Sequence, residues 1–148
     1  MKRPICVLNG PNLNRLGTRE PEIYGITTLA EIEAMCRAAA AAWPVTFRQT
    51  NSETQLIEWV HEAIDGADGI IINPAAFSFT SLALLDALKM FPGPIIEVHL
   101  SNIHRREPLY HRSLVSLAAT AVIAGLGADG YPAAVSAMTR ILSTGTQE

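Results

Sequence analysis

Short, mostly apolar runs alternate along the chain with segments in which apolar residues recur every three or four positions. The runs are Ile5 to Leu8, Val45 to Gln49, Gly69 to Ile72, Ile95 to Val98 and Ala121 to Ala124. Apolarity on both faces over four or five residues suits strands of a covered parallel sheet. Between them, Leu29, Ile32, Cys36 and Ala40 share one side of a helix predicted from about Leu29 to Trp43, and Thr28 with Glu31 forms a capping box at its start. A second helix follows a Ser52/Gln55 capping box, and a third covers about Ser81 to Met90. The last begins around Tyr131 and Pro132, since proline fits a first helical turn. The pattern reads βαβαβαβαβ.

Such units, joined by right-handed crossovers, give an α/β fold: a three-layer, doubly wound, parallel five-stranded sheet. Analogy with flavodoxin-like folds suggests the strand order 2-1-3-4-5. With 148 residues, 49% apolar and 17% charged, and with no linker or low-complexity stretch, the chain is expected to form a single domain over residues 1–148. A net charge of -3 supplies no basic field, so nucleic acid is not an expected partner. No apolar run approaches the ~20 residues that span a bilayer, and the N-terminus leads into a strand rather than a signal core, which predicts a cytoplasmic protein without membrane contact. Cys6 and Cys36 read as two isolated buried thiols.

In open parallel sheets ligands bind beyond the carboxyl ends of the strands. Here each run is followed by polar residues: Asn9 and Asn12, then Thr50 and Asn51, then Asn73, then His99, Ser101 and Asn102. Any one could be a turn or cap residue. Gathered on one rim, they suit a small polar ligand. The first of these stretches, Asn9 to Gly25, holds glycines at 10, 17 and 25 and prolines at 11 and 21, which argue against helix or strand and for a lid loop over about residues 11–25. It carries Arg15, Arg19 and Tyr24. A guanidinium beside a phenol favours the phenolate, which could then take a proton from the carbon next to a carbonyl. The competing reading is a solvated loop with Tyr24 as a packing residue.

Two further patterns carry less. Gly125-Leu-Gly127-Ala-Asp-Gly130 matches a dinucleotide glycine signature, but the chain ends before the strand and acidic ribose ligand that should follow, so the glycines read as a strand-to-helix turn. Glu97, His99, His104 and His111 match no common zinc spacing, so no metal is expected and proton transfer is the better reading of His99.

The blocks Asn9 to Gly25, Gln49-Thr-Asn-Ser-Glu53, Asn73-Pro-Ala-Ala76, Glu97-Val-His-Leu-Ser-Asn102 and Gly125 to Gly127 with Gly130-Tyr131 resemble those of the type II 3-dehydroquinate dehydratases across nearly the whole chain. The resemblance implies anti elimination of water from a cyclic β-hydroxy ketone carboxylate through an enolate, with no metal, Schiff base or organic cofactor. It implies Tyr24 as the base, Arg19 as its activator, Asn12 as the holder of a water that donates to the enolate, and His99 as the acid, oriented by Glu97. Asn73 and the backbone amides of Leu100 and Ser101 would bind the carboxylate. Asp86 would reach the site of a neighbouring subunit in a homo-oligomer of trimers arranged as a dodecamer.

Three positions depart from the family pattern. Phe79 stands where the family carries a histidine, Leu85 where an arginine precedes the aspartate, and Tyr110 where an arginine helps to hold the ring hydroxyls. Arg112 or Arg106 could compensate. Three readings follow: a 3-dehydroquinate dehydratase, a paralogous dehydratase of a less hydroxylated β-hydroxy carbonyl acid, and a noncatalytic binder of small molecules.

Overall fold

A computed structural model describes residues 1–145, so the last three residues of the expected domain lie outside the described residues. Five parallel strands form one sheet in the order β2-β1-β3-β4-β5. They are β1 (Ile5–Asn9), β2 (Val45–Gln49), β3 (Gly69–Asn73), β4 (Ile95–His99) and β5 (Ala121–Ala124). The helices are α1 (Pro21–Tyr24), α2 (Leu29–Ala39), α3 (Glu53–Gly66), α4 (Leu82–Leu88) and α5 (Gly130–Thr144). This is the flavodoxin-like α/β architecture. One core, with Ile32 and Cys36 of α2 and Val135 and Met138 of α5, covers one face of the sheet. The other, with Leu56 and Val60 of α3 and Leu84 and Leu88 of α4, covers the opposite face. None of the described helices is long and apolar enough to cross a membrane.

The strands at the centre extend one residue further than their apolar runs. Asn9, Asn73 and His99 are therefore the last residues of β1, β3 and β4, and Asn9 stands opposite Asn73 in register. The two edge strands are only partly covered, with β5 exposed at Ala121 and Val122. Cys6 on β1 is half-buried rather than buried as expected, Cys36 is buried, and both are free; burial pushes both thiols up, Cys36 to about 12, away from the thiolate form.

Capping is where the sequence signals point. Thr28 and Glu31 satisfy each other's backbone at the start of α2, and the Ser52 and Ser81 hydroxyls accept the N–H groups of Gln55 and Leu84. The expected Ser52/Gln55 box is only half made, because Ser52 N–H donates to Thr50 Oγ1 at 3.0 Å instead of to the Gln55 side chain. Further expectations about the helices are corrected. Helix α2 stops at Ala39 rather than Trp43, because Ala41 adopts φ 55° and Pro44 must lead into β2. Helix α4 ends at Leu88 rather than Met90. No α-helix joins β4 to β5; 3-10 turns at Ile103–Arg105, Pro108–Tyr110 and Leu114–Leu117 make that crossover instead. Nor is the stretch from Asn9 to Gly25 free of helix. A 3-10 turn covers Leu13–Arg15, and Pro21 opens the single turn α1 after Glu20, whose φ of 34° swings the chain into it.

Candidate active site

The sheet reverses its winding between β1 and β3, and their carboxyl ends are held very close. Gly10 N–H donates to the Asn73 carbonyl at 2.9 Å, and a Cβ on Gly10 would stand 2.4 Å from the Pro74 carbonyl oxygen, so only glycine fits. Immediately beyond, Asn12 adopts φ 70° and its N–H donates to Asn51 Oδ1 at 2.9 Å. Gln49 at the end of β2 braces the same loop by donating to the Gly10 carbonyl and to Asn51 Oδ1, both at 3.1 Å.

Beneath this loop runs a buried chain of polar groups. The Tyr131 hydroxyl donates to Asn9 Oδ1 at 2.7 Å and accepts from Asn73 Nδ2 at 2.9 Å, and Asn73 Oδ1 accepts Ala75 N–H at 3.1 Å. Burial drives the Tyr131 phenol well above its ordinary range, which keeps it a neutral donor. Asn73 is thereby fixed in orientation, with one amide hydrogen left for the pocket it lines.

His99 faces the same pocket and its Nε2 bonds Glu97 Oε2. Glu97 is fully buried and also accepts the Ser113 and Ser116 hydroxyls, at 2.5 and 2.6 Å. The carboxylate so held fixes the imidazole plane and leaves the other ring nitrogen for a ligand. Burial pushes the Glu97 carboxyl up, but the hydrogen bonds from His99, Ser113 and Ser116 outweigh it and hold the carboxyl below the usual glutamate range. A folded-state value below the unfolded one adds stability that is complete above the ordinary glutamate value of ~4.3 and is lost as pH falls through the folded value. Thermal melts on the acid side of that value should therefore show a steep loss for the wild type and a flatter one for Glu97→Gln. Coincident acid limbs would refute the argument.

Tyr24 closes α1, and its phenol oxygen accepts Nη1 of Arg106 at 3.2 Å. The Arg19 guanidinium lies over the Tyr24 ring, 4.5 Å from its centroid, with Nη2 3.2 Å from Glu20 Oε2. Arg106 continues across to the Tyr110 ring, 4.1 Å away. Two cations therefore flank the tyrosine, and the one that reaches its oxygen is Arg106, considered from the sequence only as a substitute hydroxyl ligand.

These groups line one pocket of about 150 Å³. It brings together Asn12, Arg19, Tyr24 and His99, the four expected catalytic residues. Asn73, Leu100, Ser101, Phe79 and Tyr110 line it too. Arg112 and Asp86 do not. Arg112 is exposed beyond the Pro108–Tyr110 turn, and Asp86 points outward from α4 while its neighbour Leu85 is buried. Among the described residues no group of three or more His, Cys, Asp or Glu is placed to hold a metal, so His104 and His111 do not join Glu97 and His99.

The model of the family described as dehydroquinase class II matches residues 3–139. The chain belongs to that family. Its relatives include a 3-dehydroquinate dehydratase of Streptomyces avermitilis, 56% identical over 96% of this chain and 91% of the relative. A protein named 3-dehydroquinate dehydratase 2, of Agrobacterium fabrum, is 55% identical over 94% of this chain and 96% of its own length. Among solved structures, the type II dehydroquinase of Propionibacterium acnes superposes with a TM-score of 0.90 at 46% identity, covering 95% of this chain and 98% of that one. Two features of this family member had no signal in the local sequence. The Arg106 contact joins residues 82 apart, and Ser113 and Ser116 lie on a crossover without helical or strand periodicity.

Proposed function

We propose that the protein is a type II 3-dehydroquinate dehydratase, a hydro-lyase of the shikimate or quinate pathway that converts 3-dehydroquinate to 3-dehydroshikimate. Relatives of that name, more than half identical over almost the full chain, support this reading over a paralogous dehydratase or a noncatalytic binder. The observation that carries the mechanism is the meeting, in one small pocket, of a tyrosine oxygen bonded to a guanidinium and a histidine backed by a buried carboxylate.

In this mechanism the Tyr24 oxygen takes the proton from the carbon beside the ketone, and the electron pair of that bond forms the enolate. Arg106, donating to the phenol oxygen, and Arg19, over its ring, stabilise the anion from which the tyrosine acts. Asn12 holds a water against the enolate oxygen. The enolate then re-forms the ketone as the carbon–oxygen bond at the carboxylate-bearing carbon breaks, and His99 gives its proton to the departing hydroxyl, which leaves as water. Asn73 and the amides of Leu100 and Ser101 hold the substrate carboxylate. Solvent exchange returns the proton from Tyr24 and restores the one on His99.

The test is steady-state turnover of 3-dehydroquinate, followed by the ultraviolet absorbance of the conjugated enone acid. A folded protein that gives no product would refute the assignment. We also place the protein in the cytoplasm, where Cys6 and Cys36 stay reduced, and in a homo-oligomer of the dodecameric kind. Leu82 and Asp86 lie one turn apart on the outer face of α4, and Leu82, Leu109, Leu117 and Leu126 each expose more than half of their surface. Asp86 on that face is the group that would reach a neighbouring subunit's pocket. Sedimentation should show a large assembly; a monomer at working concentration would overturn this.

A further inference from the structure

His111 does not line the pocket, yet its half-buried ring makes a bond of its own. Nε2 lies 2.5 Å from the carbonyl oxygen of Arg106, five residues back. A carbonyl only accepts, so Nε2 carries the hydrogen, as it does in the imidazolium and in one neutral tautomer. The turn between the two residues does not need this bond. Tyr110 N–H donates to the Glu107 carbonyl at 2.9 Å and His111 N–H to that of Pro108 at 3.1 Å, whereas no backbone N–H among the described residues reaches the Arg106 carbonyl.

The bond acts on the backbone of the residue that touches the base. Arg106 N–H donates to the carbonyl of buried Ile103 at 3.3 Å, which holds the peptide before Arg106. His111 holds the peptide after it. With both flanking peptide planes fixed, the direction in which the Arg106 side chain leaves the backbone is fixed as well. Its guanidinium lies 4.1 Å from the Tyr110 ring centroid and 5.7 Å from that of Tyr24, and Nη1 donates to the Tyr24 oxygen at 3.2 Å. Among the described residues no carboxylate pairs with Arg106, while Arg19 shares its charge with Glu20. Arg106 is thus the less neutralised of the two cations beside the tyrosine.

We infer that His111 is a positioning residue for the base: by fixing the Arg106 peptide it keeps an unpaired guanidinium on the Tyr24 oxygen. The inference rests on the proposed elimination, in which Tyr24 takes the proton. A long arginine side chain has many rotamers to lose when it settles at one atom, and a backbone held on both sides removes part of that cost before substrate arrives. His111 contacts neither the pocket nor Tyr24, so its effect on the reaction passes through Arg106. The crossover itself does not depend on it, since Ile103 and Val115 are buried and Ser113 and Ser116 bond Glu97.

Variants of the protein as it assembles test this, so that the Asp86 carboxylate brought by the proposed oligomer is present. His111→Leu keeps bulk and loses the donor, while His111→Gln carries an amide of similar reach to the same carbonyl. The expected result is a kcat lowered by about 10- to 100-fold in His111→Leu, with KM and melting temperature close to those of the wild type, and largely restored in His111→Gln. Arg106→Met should lower kcat at least as far, and adding His111→Leu to it should change kcat by less than about twofold. A crystal structure of His111→Leu should show the Arg106 guanidinium withdrawn from the Tyr24 oxygen. An unchanged kcat in His111→Leu, or an equal further fall in the Arg106→Met background, would overturn the inference. So would a loss of activity that follows a fallen melting temperature and is not relieved in His111→Gln. A folded wild type that is inert on 3-dehydroquinate would refute the assigned reaction instead. The crystal structure then decides the inference, which stands if Arg106 has withdrawn and falls if it has not.

Discussion

Tyr24→Phe should lower kcat for the elimination by about 10²–10⁴, the usual contribution of a positioned base, while leaving KM and the melting temperature close to those of the wild type. The substitution removes one oxygen and little else. The ring would still lie under the Arg19 guanidinium, and Pro21 at the first helical position and the Gly25 N–H bonded to the Pro21 carbonyl would still hold the turn α1. The lost contact is the one from Arg106 to the phenol oxygen. Product absorbance under saturating substrate measures the effect. A variant with undiminished kcat would remove Tyr24 from the mechanism, and a large fall in melting temperature would make its role structural.

Tyr131→Phe should be the most costly single-atom change in the fold. The Tyr131 side chain is fully buried, and its hydroxyl serves Asn9 and Asn73 at once. Deleting it strands Asn9 Oδ1 as an acceptor and one Asn73 amide hydrogen as a donor, in a place water does not reach. Each unsatisfied buried group costs ~1–3 kcal/mol, and the expected loss is about 3 kcal/mol in all, or roughly 6–12 °C in melting temperature for a chain of this size. Asn9 retains a bond from its amide nitrogen to the Arg48 carbonyl, so β1 stays in register. Asn73 loses one of its two restraints and keeps only the bond from Ala75 N–H, so KM should rise more than kcat falls. Denaturant unfolding of the assembled protein checks the first expectation and kinetics the second. An unshifted midpoint would mean that the two amides find other partners.

How much of this was legible in the sequence depended on whether the signal was local. The runs that became β1, β3 and β4 stood out because they lie between two layers of helices, where nearly every position must be apolar. Thr28 and Ser52 announced helix starts because an N-cap acts on the residue three positions later. Asn73 and His99 were readable as polar positions directly after apolar runs, and Asn12 as one four residues beyond such a run. What failed was non-local or aperiodic. The end of α2 was misjudged because its apolar pattern runs on through Ala40 to Trp43, although Ala41 and Pro44 break the helix. The β4–β5 crossover has no period to read, since it consists of 3-10 turns. Its serines could be connected to Glu97, and its Arg106 to Tyr24, only once the chain was folded. Arg112 illustrates the same limit: it is six residues from Arg106 and carries the same charge, yet the Pro108–Tyr110 turn directs it outward.

That crossover is secured at both ends and open between them. Asn102 caps its first turn and Ile103 is buried at one end, while Val115 is buried and Ser113 and Ser116 bond Glu97 at the other. Residues 107–110 are suspended between these moorings, and Tyr110 at the end of the span helps form the pocket wall. Side chains on a span of this kind can be exchanged without moving β4, so His99, the proposed acid, keeps its place when residues 107–110 change. Descendants of one chain could thus acquire new substrates by altering the span and the turn that carries Phe79, while inheriting the elimination chemistry intact.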